Sequence, residues 1–244
     1  MMSITFLALF ALMPYVALGQ SSRLEWAPED MYNPIDEPVN CGLRKNEPSY
    51  ICDPNKILGE HVNSFNWILR DAAYNSTKCP CSNYYCETER GPTGYRISIA
   101  IVKKMKIQTN IDGRRNSPED QAQLFAYRLE NSKWNFGRCE EDIVIFYSHD
   151  DKMLAMYGGS TALKKLTPYY RQLLAYKVGQ RFNEGHIVEA FNNLLVDLKL
   201  VLNCESESHD CNLHQIRDGA GFISVSMAVL SMSVVMTVYN SIWS

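Results

Sequence analysis

The chain has 244 residues, a formal net charge of −3 and eight cysteines. Charges of both signs are interspersed, with no arginine-rich arm and no basic stripe, which argues against nucleic acid as a partner. About 200 residues lie between two apolar ends, enough for one compact domain with its own core.

Residues 1–19 read as a secretory signal peptide. Ile4 to Leu18 is apolar, and Ala17-Leu18-Gly19 supplies small residues at the cleavage spacing. An uncleaved anchor is the competing reading, but the run is short for a span of ~20 residues. Residues 20–52 form an irregular cysteine-containing arm, rich in proline, asparagine and acids. Asp53-Pro54 then suggests a helix start, with Ile57, Leu58, Val62, Phe65, Ile68, Leu69 and Ala72 as its buried stripe. Residues 75–94 read as a loop. It carries three cysteines and the sequon Asn75-Ser76-Thr77, which makes Asn75 the expected glycosylation site.

The central block spans Tyr95 to Ser160. Tyr95 to Val102 is a strand apolar on both faces, as a covered sheet requires. Ser117-Pro118-Glu119-Asp120 is a helix start, with a capping serine, a proline that fits the first turn and acids at the positive dipole end. Ile143 to Tyr147 is a second strand, Ser148 to Lys152 a turn, and Met153 to Tyr157 the returning strand ended by Gly158-Gly159. The helical crossover predicts parallel pairing of the first two strands, and the tight turn predicts an antiparallel third. A short helix over Thr161 to Lys165, a capped helix from Thr167-Pro168 and a break at Phe182 to His186 follow. Ile187, Phe191, Leu194, Leu195, Leu198 and Val201 then line one side of an amphipathic helix.

Residues 204–218 read as a polar stalk, 219–239 as a transmembrane helix and 240–244 as a cytoplasmic tail. Gly219 to Tyr239 holds no charged residue and is long enough to cross a bilayer. A single-pass cell-membrane protein with its N-terminal domain outside is therefore expected. The alternative is a glycolipid anchor, with Ser206 to Ser208 as the small residues before a spacer and apolar tail.

An even cysteine count behind a signal peptide implies disulfides. Cys41 with Cys52 and Cys204 with Cys211 are local pairs. Of Cys79, Cys81, Cys86 and Cys139, one of the first two pairs with Cys86 and the other reaches Cys139. A zinc site from these four is the alternative, although their spacing departs from paired C-x2-C.

Asp150 and Asp151, at the end of a core strand, are the weak catalytic candidates. With Asp142 they are also the weak metal candidates, because hydrolases use carboxylates to hold metals or as nucleophiles. Glu140, Glu141 and His149 lie close in sequence. Ser-His-Asp-Asp-Lys is equally good turn chemistry. Gly158-Gly159-Ser160 offers backbone N–H groups to an anion, or simply ends a strand. No cofactor motif is present in the sequence.

The order of elements resembles the TPM domain over about residues 53–202. The resemblance is carried by Ile57-Leu-Gly-Glu60, Arg96 to Lys103, Ala126 to Gly137, Asp142 to Tyr147, Tyr157-Gly-Gly159 and Phe182-Asn-Glu-Gly185. With the apolar ends and cysteines added, the chain resembles the nematode family named for the modulator of levamisole receptor. The resemblance implies an α/β fold, a TPM-like mixed sheet of about four strands flanked by helices, extracellular over 53–203, plus one C-terminal transmembrane helix. It further implies a non-enzymatic auxiliary modulator of a pentameric acetylcholine-gated channel. Acid phosphatase activity, associated with other TPM-like domains, is the alternative.

Overall fold

The computed structural model describes residues 23–88, 91, 93–109, 113–205 and 211. The expected signal peptide (1–19), transmembrane helix (219–239) and tail (240–244) lie outside the described residues, as does most of the stalk. Among the described residues, no helix is long and apolar enough to cross a membrane.

The elements are β1 (Ile51–Cys52), α1 (Val62–Asp71), α2 (Asn83–Thr88), β2 (Arg96–Val102), α3 (Pro118–Arg128), β3 (Asp142–Ser148), β4 (Met153–Gly158), α4 (Ser160–Leu163), α5 (Pro168–Asn183) and α6 (Ile187–Asn203). The four strands form one mixed sheet in the order β1-β2-β3-β4. β2 and β3 are parallel, from Arg96 opposite Asp142 to Val102 opposite Ser148, and β4 returns antiparallel to β3. Both follow from the crossover and turn lengths in the sequence. Every residue of β3 is buried, because successive side chains enter opposite layers. On one side Phe146 stacks on Phe125 of α3, ring centroids 4.0 Å apart. On the other Tyr147 meets Phe182 of α5 and Phe191 of α6, and Phe191 also meets Phe65 of α1. The caps sit where local chemistry predicts them. Ser117 Oγ accepts from Asp120 N–H, and Thr167 Oγ1 accepts from Tyr170 N–H.

Three expectations change. The first helix starts at Val62, not at Asp53-Pro54. The Asp53 carboxylate accepts from Ile57 N–H (2.9 Å) and Leu58 N–H (2.7 Å), and Lys56 takes a left-handed φ of 56°. Those bonds close a turn, and a left-handed residue cannot continue a helix. The buried stripe from Leu58 to Ala72 is nonetheless as expected. The arm over 20–52 is not merely irregular. Trp26 and Met31 are core residues, Trp26 bridges Met105, and Ile51–Cys52 is an edge strand of the sheet. The loop over 75–94 contains α2, braced by its cysteines.

The disulfides are Cys41–Cys52, Cys79–Cys86, Cys81–Cys139 and Cys204–Cys211. All eight sulfurs are thereby oxidised, which removes the zinc reading: a disulfide sulfur has no thiolate to offer. Cys81, Cys139 and Glu141 do bring ligand-type atoms within 4.8 Å of one another, but both sulfurs there belong to one bond.

Gly159 is required by close approach. A Cβ at this position would lie 2.5 Å from the Glu140 carbonyl oxygen. Gly159→Ala is therefore expected to lower stability by about 1–3 kcal/mol, the usual cost of overpacking. Thermal unfolding with and without the substitution measures it, and an unchanged midpoint would contradict the close fit.

Candidate functional site

The acidic candidates do not form one site. Asp142 opens β3, whereas Asp150 and Asp151 follow its last residue, Ser148. Six steps of strand separate the two ends by about 20 Å. The three carboxylates therefore cannot share an ion, which corrects the metal grouping read from the sequence.

Asp142 and Asp151 have local work. Asp151 Oδ2 accepts from Ser148 Oγ–H at 2.5 Å and from Met105 N–H at 2.9 Å. It fixes the turn and ties it to the segment after β2. Asp150 is exposed beside His149, whose pKa is lowered chiefly by burial and then by the Lys152 charge. Asp142 accepts from Phe136 N–H at 3.0 Å, and burial raises its pKa against those backbone bonds. Asp151→Ala should cost about 1–3 kcal/mol, since it removes the acceptor of the Ser148 hydroxyl and one of the two acceptors of the buried Met105 amide, the other being Ser148 Oγ at 3.0 Å. Asp150→Ala should cost much less, as an exposed substitution. Denaturant midpoints of the two variants check this, and equal losses would count against the assigned roles.

The Gly158-Gly159-Ser160 segment is already occupied. Glu140 holds a left-handed φ of 61° and turns its carbonyl toward Thr161 N–H and Ala162 N–H, both 3.1 Å away. Its carboxylate accepts from Ser160 N–H at 3.2 Å. The chain thus fills its own anion cradle. Nearby, Arg96 Nε lies 3.3 Å from Glu141 Oε1, while Glu141 Oε2 accepts from Arg138 N–H and Cys139 N–H, both at 2.8 Å. This buried pair locks the Cys139 segment to the start of β2. Glu130 sits in the same region, its pKa pushed up to about 7 by burial and by the charges of Asp142 and Glu140.

The surface offers more than these rims. Trp67 is 69% exposed and Tyr74 45% exposed. Trp67 lies on α1 and Tyr74 in the π-helical turn, Ala72–Ser76, that continues it. Val196 and Leu200 make an exposed apolar pair one turn apart on α6. Both helices cover the same side of the sheet, and Lys199 reaches Asp71 between them at 3.9 Å. Sequence reading did not single out these four residues. The available signal was that Trp67 and Val196 fall off the buried stripes of their helices while remaining large and apolar. Asn75 is exposed just beyond α1, its side chain 3.3 Å from Asp71.

The described residues form a disulfide-braced mixed α/β domain with exposed apolar side chains on its helices. The chain belongs to the family described as modulator of levamisole receptor-1, whose model matches residues 26–152. That match begins inside the arm, at the core residue Trp26. No curated protein matches the chain. Among solved structures, the N-terminal domain of a protein from P. gingivalis is similar, with a TM-score of 0.46 and 12% identity, covering 76% of this chain and 99% of that one. The BA42 protein from the psychrophilic bacterium Bizionia argentinensis is also similar, with a TM-score of 0.36 and 12% identity, covering 58% of this chain and 80% of that one.

Proposed function

We propose that this protein is a non-enzymatic cell-surface modulator of a pentameric acetylcholine-gated channel. The observation that carries the reading is membership of the family described as modulator of levamisole receptor-1. In this reading, residues 1–19 direct secretion and residues 219–239 cross the membrane. The domain over 53–203 works outside the cell with its N-terminal arm, on a stalk over 204–218. Asn75 carries a glycan. The outer face of α1 and α6 meets the channel, because exposed Trp and Tyr are the side chains from which binding hot spots are most often built.

Co-expression with a panel of acetylcholine-gated channels tests the reading. The expected result is a changed agonist current and co-purification with at least one channel. A Trp67→Ala, Leu200→Ala double variant should lose that effect while reaching the cell surface normally. Unchanged currents and no co-purification across the panel would reject the channel role. A double variant as active as wild type would reject only the face.

A further inference from the structure

The cations of this chain look scattered in sequence, but folding gathers some of them. Trp26 N–H donates to Lys104 O at 2.9 Å, and Lys106 N–H donates to Trp26 O at 2.7 Å. The segment 104–106 is thereby held extended, with Met105 buried and Lys104 and Lys106 exposed on its other side. Two steps of extended chain set these lysines about 6.5–7 Å apart. Thr109 then bridges Arg115 antiparallel, and Asn116 N–H donates to Gln108 O at 3.0 Å. That pairing returns Arg115 to the same edge. Lys103, on the near side, adjoins the turn that carries Lys152, since Asp150 N–H donates to Lys103 O at 2.8 Å.

Among the described residues, the acids around this strip offset it only in part: Glu25 pairs with Lys104, and Asp151 also acts on that lysine. Asp151 is turned inward to Met105 and Ser148, and Asp30 is paired with Arg23. Glu25, 2.9 Å from Lys104, is exposed, as is Asp150. Glu25 feels the surplus of cations: Lys104 first, then Arg115 and Lys106, hold its carboxyl below the ordinary range. Among the described residues, the strip itself carries no large exposed apolar side chain; Leu24, beside Glu25, is the exposed apolar residue at its margin. Ile107 is only half exposed, and Gln108, Thr109 and Asn116 supply polar cover. A protein partner normally needs a buried aromatic or aliphatic centre. A flexible polyanion needs only a row of accessible cations.

We infer that the exposed strip formed by Lys103, Lys104, Lys106, Arg115 and Lys152 binds a sulfated polysaccharide. Sulfate esters carry permanent charge, so lysine and arginine on a flat extended edge hold them without a pocket. The site lies apart from the α1–α6 face and does not rest on the channel reading.

Heparin is the probe. Full-length protein in detergent is passed over heparin-agarose and over a sulfopropyl matrix. Elution from heparin at clearly higher salt is expected. The triple variant Lys104→Ala, Lys106→Ala, Arg115→Ala should lose at least tenfold in heparin affinity. Its slope of log affinity against log salt should fall by about one per cation removed. The control Arg44→Ala, Lys45→Ala, Lys164→Ala removes the same charge elsewhere and should bind as wild type does. In unsubstituted protein, heparin should also protect Lys104 and Lys106 from an amine-reactive label. Equal elution from the two matrices, equal loss in both variants, competition by unsulfated hyaluronan as strong as by heparin, or no protection of these lysines would each overturn the inference.

Discussion

Replacing Cys81 and Cys139 together by serine should lower stability by about 4 kcal/mol, from the chain entropy released by opening so long a loop. The bond joins residues 58 apart in sequence. It fastens the segment before α2 to the start of β3, beside the Arg96–Glu141 pair. Cys79–Cys86 closes only seven residues, so its removal should cost nearer about 2.5 kcal/mol by the same relation. The difference is the informative quantity. Denaturant unfolding of the two double-serine variants, without reductant, should give distinct midpoints and a steeper slope for the long-loop variant, whose unfolded chain is freed to expand. If the short-loop variant loses as much as the long-loop one, chain entropy is not what Cys81–Cys139 supplies.

Stability should also fall as the solution is taken from pH 4 to pH 7. Asp53 is 1% exposed, and burial raises its pKa from 3.8 to about 6, against the backbone N–H groups that its carboxylate accepts. The folded protein therefore holds this proton more tightly than the unfolded chain does. The resulting stabilisation is fully present below about pH 4 and disappears as the pH rises through about 6, a total of about 3 kcal/mol. Glu130, raised to about 7, has the same sign and extends the window upward. The lowered carboxyls of Glu25, Glu140 and Glu205 work in the opposite direction, but they are exposed and screened. His149, with its lowered pKa, also favours the fold as the pH rises. Asp53→Asn removes the titration but keeps one of the two acceptors, its NH2 facing the second amide, so the comparison is of pH dependence and not of absolute stability. Each measured against its own value at pH 4, wild type should lose about 3 kcal/mol more than the variant by about pH 7. Parallel curves across that range would remove Asp53 as the source.

The parts of the fold legible in the sequence were those set by short-range chemistry. β2, β3 and β4 announce themselves through apolar runs and the Ser148–Lys152 turn. Ser117 and Thr167 mark helix starts because a capping hydroxyl acts within three residues. β1 could not be read: two residues, Ile51 and Cys52, carry no period, and they are a strand only because β2 lies alongside. Asp53 misled for a related reason. Its carboxylate serves Ile57 and Leu58 in a turn, and the same residue type before proline also begins helices. The candidate site shows the same division. Asp150 and Asp151 were correctly placed at a strand end, but the assignment of Asp151 to Met105 depends on a residue 46 positions away. The basic strip was illegible because Arg115 joins Lys104 and Lys106 only through the pairing of Thr109 with Arg115. Trp67 was visible throughout. That it faces outward is a fact of helix phase relative to the Phe65–Leu69 side.

The end of α6 has a mechanical meaning. Asn203 Nδ2 donates to Ser76 O at 2.8 Å, and its Oδ1 accepts from Lys78 N–H at 2.9 Å. Just beyond, Lys165 Nζ donates to Cys204 O at 2.6 Å, and Tyr170 O–H lies 3.0 Å from Cys211 Sγ. A pull on the chain after Cys211 therefore does not peel α6 away one turn at a time. It is divided at once among the segment after α1, the start of α5 and the Cys204–Cys211 ring, which must all yield together. A disturbance at the end of α6 is thus passed directly to the segment that follows the helix displaying Trp67.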